Sequence, residues 1–268
     1  MADAHNYILR YVEKLQSKGR YVFTLKDIKK EFNKADNSLS MALLRLSKKG
    51  KIVSVKNGVY VIVPPEYSGS KILSPLLFVN DMMKYSGREY YLGLLSAAAF
   101  HGAAHQQPQD ICVVTTKPSI RTIFVRGVKI NFICRKNIRL QGIEERKTDT
   151  GYIRISGPEL TAADLIQFRK QSGELTRVTE VIGELLDKID SKKLIKLAHS
   201  HVSLPVIQRL GYILDNVFKR KALADALFNA VKNRLKRLTA LNPSHNISGF
   251  TSGNRWKIIE NTILEPEE

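Results

Sequence analysis

Apolar and polar positions alternate along the first third of the chain in a clear order. Tyr7, Ile8, Tyr11, Val12 and Leu15 recur at helical spacing within residues 4–17, with polar residues opposite, and Gly19 closes that helix. Thr24 stands at a cap position before Leu25, Ile28 and Phe32, and Asp27 is its capping-box partner, so a short helix over 25–32 follows. The polar turn from Asn33 to Asn37 leads to a third helix, about 37–49, with Leu39, Ala42, Leu43 and Leu46 facing inward. Its outward positions are Ser38, Ser40, Met41, Arg45, Lys48 and Lys49, and Gly50 supplies the cap. Two β-rich runs, 52–55 and 59–63, flank Asn57-Gly58, the pair that a type I′ hairpin turn favours. Three helices followed by a hairpin is the order of a winged helix-turn-helix.

Pro64-Pro65 and Ser68-Gly69-Ser70 then interrupt helix and strand alike. Two domains are therefore expected, one over 1–65 and a larger one over 70–268. In the larger one, Tyr90–Phe100 reads as a packed, small-residue helix and Ile111–Thr116 as a buried strand. Ile120–Val125 and Val128–Cys134 form a hairpin across Arg126-Gly127, and 152–155 is a further strand. From Ser156 the period switches to 3.6, predicting helices from Pro158 and over about 175–188, 191–200, 205–218 and 221–238. The fold class is α+β: a winged helix-turn-helix, then a mixed sheet over about 70–155 and a helical half over about 156–260.

Charge sharpens this picture. The 268 residues carry 43 Lys and Arg against 25 Asp and Glu, a net charge of +18. Residues 1–66 contribute +7 and residues 189–240 contribute +8. Clustered cations gain counterion-release entropy on phosphate, so a nucleic-acid partner is the direct expectation. Ser38, Ser40 and Arg45 would then lie near the groove, with Lys48, Lys49 and Lys56 supplying charge to phosphates. The alternative is a winged module that contacts protein, its cations serving solubility. Two cysteines, a polar amino terminus and no apolar run near the length of a membrane helix predict a cytoplasmic protein without a membrane partner.

The chemistry of catalysis is missing. There is no G-x-x-x-x-G-K-[ST] loop, no G-x-G-x-x-G and no H-E-x-x-H. Ser68-Gly69-Ser70 suggests a nucleotidyltransferase turn, but no D-x-D follows it, and a linker is the better reading. His101 and His105 have a helical ligand spacing broken by Gly102, and His199 and His201 lack further ligands. Asp110 with Glu145-Arg146-Lys147 imitates a nuclease metal site, yet the latter group sits in a polar stretch (143–150) that does not read as a strand. No catalytic residue, metal or cofactor is therefore expected. The cations from Lys232 to Arg237, at the end of helix 221–238, either complement its dipole or form a second phosphate-facing strip.

Four stretches carry a resemblance: GKIVSVKNGVYVIV (50–63), YYLGLLSAAAFHGAAHQQPQDICVVTTK (90–117), VSLPVIQRLGYILDNV (202–217) and LNPSHNISGFTSGNRWKIIEN (241–261). In this order and spacing the chain resembles the AbiEi antitoxins of bacterial AbiE-type (type IV) toxin–antitoxin systems of abortive infection and phage defence. The resemblance implies a transcriptional repressor that binds inverted repeats in double-stranded DNA upstream of its own operon. It also implies a larger domain that counteracts a cognate nucleotidyltransferase toxin, functionally and without a required stable contact. By match to the family's winged helix, the DNA-facing residues are Ser38, Ser40, Arg45, Lys48, Lys49, Lys56 and Asn57. For antitoxicity the candidates are Arg209, Arg255 and Trp256. Their structural alternative is a buried ion-pair partner for Arg209 and a core anchor for Trp256, with Gly211 permitting close helix packing. A regulator whose larger domain senses a ligand or dimerises, with no antitoxin role, is the competing function. Inverted repeats need two copies on DNA, so a dimer there is expected.

Overall fold

The computed structural model describes residues 3–32, 36–56, 58–67, 73–103 and 110–265. Its contacts divide the chain into two compact units. The first comprises Met1–Tyr91, Gln109–Ile138 and Glu145–Arg154, and the second Leu92–Pro108, Arg139–Glu144 and Ile155–Glu268.

The first unit opens with α1 (Asp3–Gln16), β1 (Val22–Thr24), α2 (Leu25–Glu31), α3 (Asp36–Lys48), β2 (Ile52–Lys56) and β3 (Val59–Ile62). The strands form an antiparallel sheet in the order β1-β3-β2, with Val22 opposite Val61 and Val53 opposite the same residue. The helical stripes meet in one core of Ile8, Val12, Phe23, Ile28, Leu39, Leu43, Leu46, Ile52 and Ile62. The expected capping box is formed: the Asp27 amide donates to Thr24 Oγ1 at 3.1 Å, and the Thr24 amide donates to Asp27 Oδ2 at 2.7 Å. Gly50 ends α3 at φ +68°, where an L side chain would be strained, and its carbonyl accepts from Arg126 Nη2 at 2.9 Å. Gly58 is likewise at φ +78° in the hairpin, while its neighbour Asn57 lies outside the described residues. Ser68, Gly69 and Ser70 lie outside them too.

A six-stranded sheet follows, in the order β6-β7-β5-β4-β9-β8. Its strands are β4 (Tyr90–Leu92), β5 (Asp110–Thr116), β6 (Ile123–Val125), β7 (Val128–Arg135), β8 (Ile143–Thr148) and β9 (Gly151–Ser156). β5 and β7 run parallel, and β6 and β7 form an antiparallel hairpin across Arg126-Gly127. Helix α4 (Val79–Tyr85) precedes the sheet in the chain.

Two expectations are corrected here. Tyr90-Tyr91-Leu92 is a strand, all three residues buried, and α5 begins only after Gly93, at Leu94–Phe100. An apolar run buried on all sides carries no period that separates helix from strand, and the sheet claims these three. Glu145-Arg146-Lys147 does lie on a strand, β8, at the edge of the sheet. Edge strands facing water are charged, which is why this one has a loop's composition.

The second unit is mainly helical: α6 (Pro158–Gln167), α7 (Arg169–Ser172), α8 (Glu174–Leu185), α9 (Ser191–Ala198), α10 (Leu204–Tyr212) and α11 (Lys221–Val231). Helix α6 is buried from Pro158 to Ile166, including Glu159, whose Oε1 accepts from the Asp190 amide at 2.7 Å. After α10 the chain makes one wider π turn, Ile213–Val217. The helix expected over 221–238 stops at Val231, and Lys232–Arg234 form a 3₁₀ turn. Short parallel strands β10 (Thr239–Ala240) and β11 (Ile258–Ile259) bracket the closing segment. Among the described residues no helix is long and apolar enough to cross a membrane.

Trp256 is fully buried against Gly211 of α10, where a Cβ would overlap three atoms of its six-membered ring. Gly211→Ala should therefore cost about 3 kcal/mol, because an added methyl has no room in a close-packed site. Trp256 is the chain's one tryptophan, so its fluorescence in urea titration reads this directly. A change below about 0.5 kcal/mol, the range of an unconstrained surface substitution, would contradict the packing.

Candidate nucleic-acid interface and closing segment

The outer face of α3 is exposed at Asn37, Ser38, Ser40, Met41, Leu44, Arg45 and Lys48, with Lys49 exposed just beyond its end. At 100° per residue, positions 37, 38, 41, 44, 45 and 48 share one stripe centred on Met41, and Ser40 lies on its flank. Leu44, 47% exposed, belongs to this stripe beside Met41, 53% exposed, although its apolar side chain gave no reason to place it outside. Lys56 closes β2, and Asn57 lies outside the described residues. Lys26, Lys29 and Lys30 of α2 are exposed as well, cations that helical periodicity alone did not single out.

In the second unit, Arg255 and Trp256 belong to one clamp. Arg255 Nε donates to Asp215 Oδ2 at 2.6 Å and Nη1 to Asp225 Oδ1 at 2.6 Å. Trp256 Nε1 donates to the same Asp215 oxygen at 3.0 Å. The guanidinium also lies 4.9 Å from the centre of the Phe228 ring, which meets Trp256 edge-on at 5.4 Å. The hydrogen bond to Asp215 raises the Arg255 pKa, although the side chain stays partly solvated. Gln208 stitches the same segment, with Nε2 donating to the carbonyls of Arg237 and Trp256 and Oε1 accepting from Thr239.

Arg209 departs from the expectation of a buried ion pair. Its Nε donates to the Ala240 and Leu241 carbonyls at 2.9 and 3.1 Å, and it forms no salt bridge among the described residues. Burial, reinforced by the positive charge of Arg169, lowers its pKa to about 10. The strip from Lys232 to Arg237 begins at the C-cap of α11 and leaves the helix through a 3₁₀ turn, so only Lys232 stands at the helix end. Arg234 donates to the Ala198 carbonyl at the close of α9 at 2.8 Å, one structural use of these cations.

The nuclease-like grouping does not assemble. Asp110 Oδ2 accepts from Lys129 at 2.6 Å and Asn131 at 3.1 Å. Glu145 lies three strands away, roughly 14 Å at ordinary strand spacing, and faces Arg154. His101 is buried and donates from Nε2 to the Ser156 carbonyl at 2.7 Å, while His105 lies outside the described residues. Among the described residues no group of three His, Cys, Asp or Glu is placed to hold a metal ion.

A mixed α+β architecture with a basic, three-helix amino-terminal portion is thus in place, and comparison with known proteins assigns its other part. Residues 91–216 match the model of the AbiEi antitoxin C-terminal domain, which supports assignment of that stretch to the AbiEi family. An antitoxin role in a toxin–antitoxin system is what the match supports. No curated protein matches the chain. The solved RV2827C protein from Mycobacterium tuberculosis has a similar fold, with a TM-score of 0.65 and 17% identity over 95% of this chain and 91% of that one. An antigenic nucleotidyltransferase-like protein from Paracoccidioides brasiliensis aligns with a TM-score of 0.33 and 15% identity, over 56% of this chain and 88% of that one, and supports no conclusion.

Tyr90 gives a pH prediction. It is buried, donates to Asn80 Oδ1 at 2.9 Å, and burial pushes its pKa to about 12. The unfolded chain loses this proton near the ordinary tyrosine value of about 10. Tyr90 therefore adds nothing to the pH dependence below about pH 10, and above it stability falls until the folded-state value near 12 is passed. Urea titrations at about pH 9.5 and about pH 11.5 should show a smaller loss for Tyr90→Phe than for the native chain. An equal loss would show that Tyr90 is not the group responsible.

Proposed function

We propose that residues 1–65 act as a winged helix-turn-helix that binds inverted repeats upstream of the protein's own operon and represses it. The larger domain counteracts a cognate nucleotidyltransferase toxin. The observation that carries the DNA reading is the exposed stripe of α3, where Ser38, Ser40 and Arg45 sit beside Met41 and Leu44, with Lys48 and Lys49 at the helix end. A helix of this width enters the major groove, with polar and apolar side chains reaching base edges and cations meeting phosphates. The hairpin β2–β3, whose first strand ends at Lys56, is the wing and lies along the backbone. The antitoxin reading rests on the family match over 91–216. Arg255 and Trp256 hold the closing segment in shape for that role, and Arg209 joins it to α10. The protein works in the cytoplasm without cofactor or catalytic step, and two copies occupy the repeats.

Fluorescence anisotropy on the duplex upstream of the gene, beside a scrambled duplex, tests this. Four cations on phosphate (Arg45, Lys48, Lys49 and Lys56) predict a slope of log affinity against log salt near about −3.6 per bound copy. Arg45→Ala should weaken binding to the native duplex by roughly 5- to 150-fold while Trp256 fluorescence stays native. Co-expressed with the neighbouring toxin gene, Arg45→Ala should still protect growth. Equal affinity for the scrambled duplex, or unchanged binding by the variant, would overturn the DNA reading. A neighbouring gene harmless on its own would overturn the antitoxin reading.

A further inference from the structure

Arg169 opens α7 and Arg209 lies in the last turn of α10, both within the second unit. Both reach the same short segment, Arg209 at the Ala240 and Leu241 carbonyls and Arg169 at Ser244, and the charge of Arg169 disfavours that of Arg209. Among the described residues, neither Arg169 nor Arg209 forms an ion pair with a carboxylate within 4 Å. Arg209 is locked in place from its Nε side by the carbonyls of Ala240 and Leu241, with a longer bond from Nη1 to the Pro205 carbonyl at 3.4 Å. Arg169 donates from Nη2 to Ser244 Oγ at 3.1 Å. Its Nε is buried and has no hydrogen-bond partner.

Two neighbouring guanidinium groups without a counterion carry a repulsive cost, and an unsatisfied buried N–H adds to it. A structural role explains the Arg209 contacts to backbone carbonyls. It does not explain a second arginine with an idle buried donor beside it. An oxyanion answers both features: it neutralises the pair and accepts the N–H bonds that guanidinium forks present. Phosphate fits better than a carboxylate, since three terminal oxygens and up to two charges match two cations and a serine hydroxyl.

We propose that Arg169, Arg209 and Ser244 form a phosphate-binding site in the carboxyl-terminal unit, separate from the DNA-facing helix. The phosphate is either free or the terminal group of a nucleotide, the two sources presenting the same oxygens. This site does not depend on DNA binding by α3.

Thermal unfolding and titration calorimetry of the full chain with inorganic phosphate, with adenosine triphosphate, and with chloride at matched ionic strength provide the test. Phosphate compounds should raise the melting temperature saturably and chloride should not. Stronger binding of the nucleotide assigns that source, and equal binding assigns the phosphate group alone. Arg169→Gln should weaken binding by at least about tenfold, the loss of one charge-assisted hydrogen bond. The same variant should melt at or above the native temperature without ligand, because it relieves the repulsion. Arg45→Ala should bind phosphate like the native chain, which separates this site from α3. No saturable effect of either compound, an undiminished effect in Arg169→Gln, or ligand-free destabilisation of that variant would overturn the proposal. Because Arg209 also holds two backbone carbonyls, Arg209→Lys serves as the second variant: it keeps the charge, loses the fork, and should weaken phosphate binding while the chain stays folded.

Discussion

Trp256 lies on Gly211 with its indole N–H on Asp215, and the closing segment is fixed to α10 and α11 through that contact and its neighbours. A large ring can sit this close to a helix only where the helix offers no side chain. The ring in turn brings Arg255 over Phe228 and between Asp215 and Asp225. The segment between β10 and β11 carries little regular structure, so its order comes from such side chains. Gln208 satisfies two carbonyls and a hydroxyl, and Asn261 donates to the Asn242 carbonyl at 2.8 Å while accepting from the Asn242 amide. Buried amides that complete their hydrogen bonds specify one arrangement, and the apolar ring supplies the driving force.

Electrostatics set the other theme. A net charge of +18 has no internal balance, so many cations must be solvated, placed on carbonyls or reserved for anions. The structure shows each use. Arg126 holds the Gly50 carbonyl, Arg234 that of Ala198, and Arg255 bridges two aspartates. The cations of α3 stand in water instead. Charge beyond structural need is thus left exposed on α2 and on the outer face of α3.

Where local chemistry decides structure, the chain was legible. Stripes at helical spacing give α1, α2 and α3, and Thr24 with Asp27 caps α2 because both groups lie within one turn. It was less legible where burial overrides period. Tyr90-Tyr91-Leu92 suits helix or strand equally, and its place between β5 and β9 settles the matter. The charged β8 looked like a loop because an edge strand needs little apolar surface. Leu44 at the surface and Arg209 without a carboxylate could not be read from spacing, since each depends on which neighbours the fold supplies.

By itself the sequence determined the α+β class, the three amino-terminal helices and the hairpin after them (though not the strand Val22–Thr24), most of the outward face of α3 and the excess of positive charge. These follow from interactions between residues a few positions apart, or from composition. Only the tertiary structure decided that Asp110 and Glu145 stand apart, that Trp256 needs Gly211, and that Arg209 meets carbonyls beside Arg169. These join residues from about 30 to 45 positions apart. Such distances through space are set by how strands order in a sheet and how helices pack, which no local pattern encodes.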